Sequence, residues 1–143
     1  MRALPAGEMN AGYSGTPLQK KLGLKRGMRA AVLRAPKHYP KLLGRLPSGL
    51  RISPRLGESL DFLHVFFTSA EDLAAAFPKL KSSLSKTGML WISWPKKTSK
   101  LARGLNETIV REIGLEGGLV DVKVCAIDDD WSGLKFVYRV KDR

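Results

Sequence analysis

Cys125 is the only cysteine in the chain. An internal disulfide is therefore excluded, and so is a metal centre built from several thiolates. Its neighbours Val124 and Ala126 make it a small buried hydrophobe by default, and a reducing, cytoplasmic setting fits. Histidine is nearly as scarce: His38 and His64 are the two. No spacing of His, Cys and Asp suggests a metal site. No apolar run approaches the length of a membrane span. The opening residues carry no apolar stretch of signal-peptide length, so secretion is not expected. Acids are almost missing from the first part of the chain. Residues 1–57 hold 12 Lys or Arg against one acid, Glu8, which is +11 of the total charge of +12. Such asymmetry points to an acidic partner (nucleic acid, an anionic ligand or another protein) or serves solubility alone.

What is present reads as one small domain, residues 16–143, behind a loose arm at residues 1–15 that is rich in glycine and poor in apolar side chains. The organising stretch is residues 88–97. Met89 to Trp94 are almost continuously apolar, Pro95 stops the run, and Lys96 and Lys97 follow. A short apolar run bounded by Gly and Pro reads as a buried strand, here a central one. Its two lysines would then stand at the carboxyl end, where open α/β sheets bind ligands.

The rest of the chain supplies the layers. Thr16 offers a cap and Pro17 a first helical position for a short helix closed by Gly23. Met28 to Leu33 read as the first strand, Tyr39 to Gly44 as a brief helix, and Leu50 to Ile52 as a short strand stopped by Pro54. Asp61 to Thr68 are a second clear strand. Ser69 caps a helix whose inner face is Leu73, Phe77, Leu80 and Leu84, with a kink or break expected at Pro78 and a stop at Gly88. Asn106 caps a helix over 107–113. Leu119 to Ile127 and Leu134 to Val140 read as an antiparallel pair, with Asp128 to Gly133 as its turn. This alternation predicts a three-layer, Rossmann-like α/β domain with a mostly parallel sheet and an antiparallel C-terminal strand.

A dinucleotide-type site needs glycines just after the first strand, so that the backbone can approach phosphates. Here that strand is followed by Arg34-Ala35-Pro36-Lys37-His38, with no glycine. No acid follows the short strand near Ile52 to hold ribose hydroxyls. No nicotinamide or adenosyl cofactor bound in the usual way is expected, and no other cofactor is implied. The candidate ligand-binding set is Arg34, His38, Trp94, Lys96, Lys97 and Trp131: cations at strand ends, and two tryptophans of which Trp131 lies in the predicted turn. His64, between Phe62 and Phe66 in an apolar strand, reads as a satisfied core histidine. Ser14, Ser69 and Ser93 have no evident His partner. The alternative site is a phosphate-binding surface on Lys20, Lys21, Lys25 and Arg26, although no nucleic-acid module is recognisable.

Four stretches carry a resemblance to a known family. They are Ala11-Gly12-Tyr13-Ser14-Gly15-Thr16-Pro17-Leu18 with Lys21-Leu22-Gly23, Trp94-Pro95-Lys96-Lys97, Val110-Arg111-Glu112, and Gly118 to Cys125 with Trp131-Ser132-Gly133-Leu134-Lys135. Together they resemble a bacterial family of uncharacterised proteins, domain of unknown function 3052. The resemblance implies a fold similar to a trimmed class I methyltransferase. It carries over no catalytic residue. The roles left open are a non-catalytic ligand- or protein-binding domain, a degenerate methyltransferase-like or anion-binding enzyme, and a nucleic-acid binder.

Overall fold

A computed structural model describes residues 17–143. The expected arm and the Thr16 cap lie outside the described residues. The elements are α1 (Leu18–Leu22), β1 (Ala30–Leu33), α2 (Tyr39–Leu43), β2 (Ile52–Ser53), β3 (Leu60–Phe66), α3 (Ala70–Ser82), β4 (Leu84–Pro95), α4 (Glu107–Glu116), β5 (Leu119–Ala126) and β6 (Trp131–Tyr138). The strands form one sheet in the order β2-β1-β3-β4-β6-β5. β2, β1, β3 and β4 are parallel, whereas β6 runs antiparallel to both β4 and β5.

Alternation along the strands sends residues to two separate cores. Ala31, Leu63, Val65, Leu90, Ile92, Leu134 and Phe136 pack beneath α3 and α4, against Leu73, Phe77, Leu80 and Val110. Ala30, Val32, Phe62, Phe66 and Trp91 pack beneath α1 and α2, against Leu18, Leu22, Tyr39 and Leu43. The organising strand β4 lies between β3 and β6, and Trp91, Ile92, Ser93 and Trp94 are all buried.

Several boundaries differ from the sequence reading. Pro17 is the N-cap of α1 rather than its first residue. α3 continues through Pro78 as one helix and ends at Ser82, with Ser83 as its C-cap. The burial of Phe77 and Leu80 on either side of the proline holds that turn against the lost hydrogen bond. Gly88 is therefore not a helix stop. Leu84, spaced like the helical residues before it, already belongs to β4. Gly88 sits within that strand because a Cβ there would run into the Leu60 carbonyl. α4 extends three residues past Ile113. β6 begins at Trp131, not Leu134, because Asp128 Oδ1 accepts from the backbone of both Asp130 and Trp131 at 2.8 Å and closes the turn early.

Candidate functional site

The carboxyl ends of β1, β3 and β4 open on one edge of the sheet, and the β5–β6 turn comes to the same edge. Lys96 N donates to the Asp130 carbonyl at 2.7 Å, and Ser99 Oγ donates to Asp130 Oδ1 at 2.8 Å. His38 Nε2 meets Asp128 Oδ2 at 2.7 Å. One turn thus gathers His38 and the Lys96–Ser99 loop, which are far apart in the sequence. Lys97 is exposed and Lys96 half-buried, and neither takes part in an ion pair among the described residues.

Arg34 is not brought into that group. It stands at the end of β1 with φ 61, in the left-handed region that disfavours side chains other than glycine. Its guanidinium lies 4.8 Å from the centre of the Phe67 ring and 3.6 Å from Asp72 Oδ2 in the first turn of α3. The strained backbone costs about 1–3 kcal/mol. The side chain spans the gap between the ends of β1 and β3, with half of its surface still in solvent.

Trp94 and Trp131 are 5% and 7% exposed. Trp94 belongs to the core under α3 and α4. Trp131 is core as well, not an exposed anchor in a turn, and packs edge-on against Phe66 with ring centres 5.0 Å apart. A cavity of about 550 Å³ at the carboxyl end of β3 is lined by Thr68, Ser69, Glu71, Arg103, Gly104 and Leu105, not by the four predicted cations.

Beneath this edge lies an arrangement that the sequence reading missed. His64 is fully buried as expected, and its ring is satisfied on both sides. Nδ1 is 2.9 Å from the Tyr39 hydroxyl and Nε2 is 2.7 Å from Ser93 Oγ. A neutral imidazole donates through one nitrogen and accepts through the other, so the two hydroxyls complete a chain across α2, β3 and β4. Burial holds His64 down to about 3 from its ordinary 6.5 and pushes the Tyr39 phenol up. The only signal in the sequence was a polar residue in each of three apolar elements. Ser93 has 0% exposure, so this chain fastens α2 to the sheet and offers no nucleophile to a substrate.

The basic residues of the alternative set are on α1 and just after it. Lys20 and Lys21 are in the last turn of α1, and Lys25 and Arg26 are exposed just beyond it. Among the described residues, no group of three or more His, Cys, Asp or Glu is placed to hold a metal ion. None of their helices is long and apolar enough to cross a membrane.

No family model matches the chain, and no curated protein matches it. Solved structures of proteins that use S-adenosylmethionine do share its fold. A SAM-dependent methyltransferase from Aquifex aeolicus aligns over 83% of this chain and 86% of its own, with 15% identity and a TM-score of 0.58. Magnesium protoporphyrin IX methyltransferase from Synechocystis with bound SAM aligns over 85% and 74%, with 14% identity and a TM-score of 0.56. Fibrillarin from Aeropyrum pernix with natively bound S-adenosyl-L-methionine aligns over 92% and 73%, with 17% identity and a TM-score of 0.52. In other matches the chain spans only part of the neighbour: 53% of the Synechocystis enzyme with bound SAH and 39% of LepI in complex with SAM. At such identities the likeness is one of fold: a Rossmann-like, methyltransferase-type domain.

Proposed function

We propose that this chain is a degenerate methyltransferase-type domain, which keeps the fold, lacks the methyl-donor site and binds a small anionic ligand at the carboxyl edge of its sheet. The observation that carries the reading is the end of β1. A donor held there needs backbone that it can approach closely. The segment 34–38 contains Pro36 and no glycine, and Arg34 is folded across Phe67 onto Asp72. β2 ends at Ser53 and is followed by Pro54 and Arg55, with no acid for ribose hydroxyls. The residues present do not fit S-adenosylmethionine.

Lys96 and Lys97 are the cations left available at this edge, with His38 beside them on the hairpin turn and Arg34 across the end of β1. They suit an anion of carboxylate or phosphate type. Trp94-Pro95-Lys96-Lys97 and Trp131-Ser132-Gly133 also carry the resemblance to the bacterial family of domain of unknown function 3052.

Calorimetric titration with S-adenosylmethionine and S-adenosylhomocysteine is expected to give no saturable heat, and a micromolar dissociation constant would overturn the reading. Titration with pyrophosphate is expected to give saturable heat that Lys96→Ala with Lys97→Ala removes.

A further inference from the structure

A second basic site is built where α1 meets the C-terminal hairpin. Lys123 and Lys135 stand directly opposite each other in the β5–β6 pair. A register shift between Asp121 and Lys123 brings this about. Before it, Asp121 lies opposite Phe136 on the α4 face and takes Arg111 Nε at 2.9 Å. After it, Lys123 lies on the α1 face with Lys135 and Cys125. An extra residue in one strand re-aims every side chain that follows. Without it, Lys123 would point toward α4.

The α1 side adds to the cluster. Lys123 Nζ donates to the Lys21 carbonyl at 3.2 Å. Trp91 Nε1 donates to the Leu22 carbonyl at 2.8 Å and pins the end of α1 to the sheet. Gly23, at φ 86, then turns the chain toward Lys25, and a Cβ there would come 3.1 Å from the Met89 methyl. Burial and the charges of Lys123 and Lys25 hold the Lys135 ammonium below its ordinary range. Like charges directly opposite in a sheet destabilise it. None of the ion pairs among the described residues involves Lys25, Lys123 or Lys135. The one nearby acid on β5, Asp121, is committed to Arg111 on the opposite face.

We propose that Lys25, Lys123 and Lys135, with Lys21 beside them, bind the phosphate backbone of nucleic acid without regard to sequence. The cations run from the α1 turn across two strands, and exposed Lys20 and Arg26 extend them, so the site fits a chain of phosphates better than one anion. The aromatics beneath, Trp91 and Phe62, have 0% exposure and offer no face for base stacking. The contacts are therefore ionic. The patch adds Lys123 and Lys135 to the basic first third of the chain and does not depend on the strand-end reading.

The test is fluorescence anisotropy of the full chain with labelled single-stranded DNA of mixed sequence at about 0.05 and 0.2 M salt. About four phosphate contacts give a log–log salt slope of about −2.8, so affinity falls about 50-fold between the two conditions. Lys123→Gln with Lys135→Gln should bring the slope to about −1.4 and the loss to about 7-fold. Lys25→Gln, in an exposed turn outside the sheet, should lower the slope by about 0.7 whether or not the double variant folds well. Lys79→Gln with Lys141→Gln removes equal charge elsewhere and should leave the slope unchanged. Inorganic polyphosphate should compete. Absence of binding at the lower salt, an unchanged slope in Lys25→Gln, or failure of polyphosphate to compete would overturn the proposal. So would loss of binding in Lys96→Gln with Lys97→Gln but not in the patch variants, which would move the anion to the strand ends.

Discussion

On one face the sheet packs against α3 and α4, helices of 13 and 10 residues that each begin at a side-chain cap, Ser69 Oγ accepting from Asp72 N and Asn106 Oδ1 from Ile109 N. On the other face α1 and α2 have five residues each and no side-chain cap. A five-residue helix has almost no stability of its own. α1 and α2 form because distant groups hold them. Trp91 Nε1 takes the Leu22 carbonyl, Gln19 Nε2 bridges the carbonyls of Leu43 and Arg45 at 2.8 and 2.7 Å, and Tyr39 reaches His64. The first face is secured by local signals and apolar burial. The second is secured by long-range polar contacts through buried groups, and both candidate binding sites border it.

The largest effect should come from cutting the second face at its anchor. Trp91→Ala removes a fully buried side chain and its hydrogen bond to α1, and should cost about 3–5 kcal/mol in urea unfolding. A loss below about 1 kcal/mol would mean that the short helices hold themselves.

Acid should separate the faces next. The unfolded chain protonates His64 near 6.5, but the folded chain does so only near 3. Between these values the unfolded state binds the extra proton, so stability falls as pH falls, by about 1.4 kcal/mol per unit at full slope. It is fully present above pH 6.5. His64→Leu should be less stable at pH 7 yet lose this part of the slope, and an unchanged slope would remove His64 as the cause.

The α3–α4 face should respond to volume instead. Gly114 lies against the Phe136 ring with no room for a Cβ. Gly114→Ala should cost about 1–3 kcal/mol through overpacking, equally at pH 7 and pH 5. A strongly pH-dependent cost would blur the contrast between the two faces. Smallest is the loss of a local cap: Ser69→Ala should lower stability by about 1 kcal/mol, read as a small drop in Tm.

The legible parts of the fold were those written in neighbouring residues. The apolar run Met89 to Trp94 is the centre of β4, Ser69 and Asn106 cap the helices expected of them, and Gly23 ends α1 in a left-handed turn. The order of strands and helices was enough to give a three-layer sheet with its antiparallel end. The misjudged positions were those where local chemistry lost to packing: Gly88, a strand residue inside β4 and not a helix stop, and Trp131, within β6 against Phe66.

The sites were less legible than the fold. Residue types alone named Arg34, His38, Lys96 and Lys97 as strand-end cations and His64 as a core histidine. Only tertiary structure could divide them, because an ion pair depends on distance in space and not on separation along the chain. It gave Arg34 to Asp72 and His38 to Asp128, 90 residues away. It also joined Tyr39, His64 and Ser93 into one buried chain. A single register shift in β5, which composition does not reveal, turned Lys123 toward Lys135 and made one cluster of charges that the sequence scatters over more than a hundred residues.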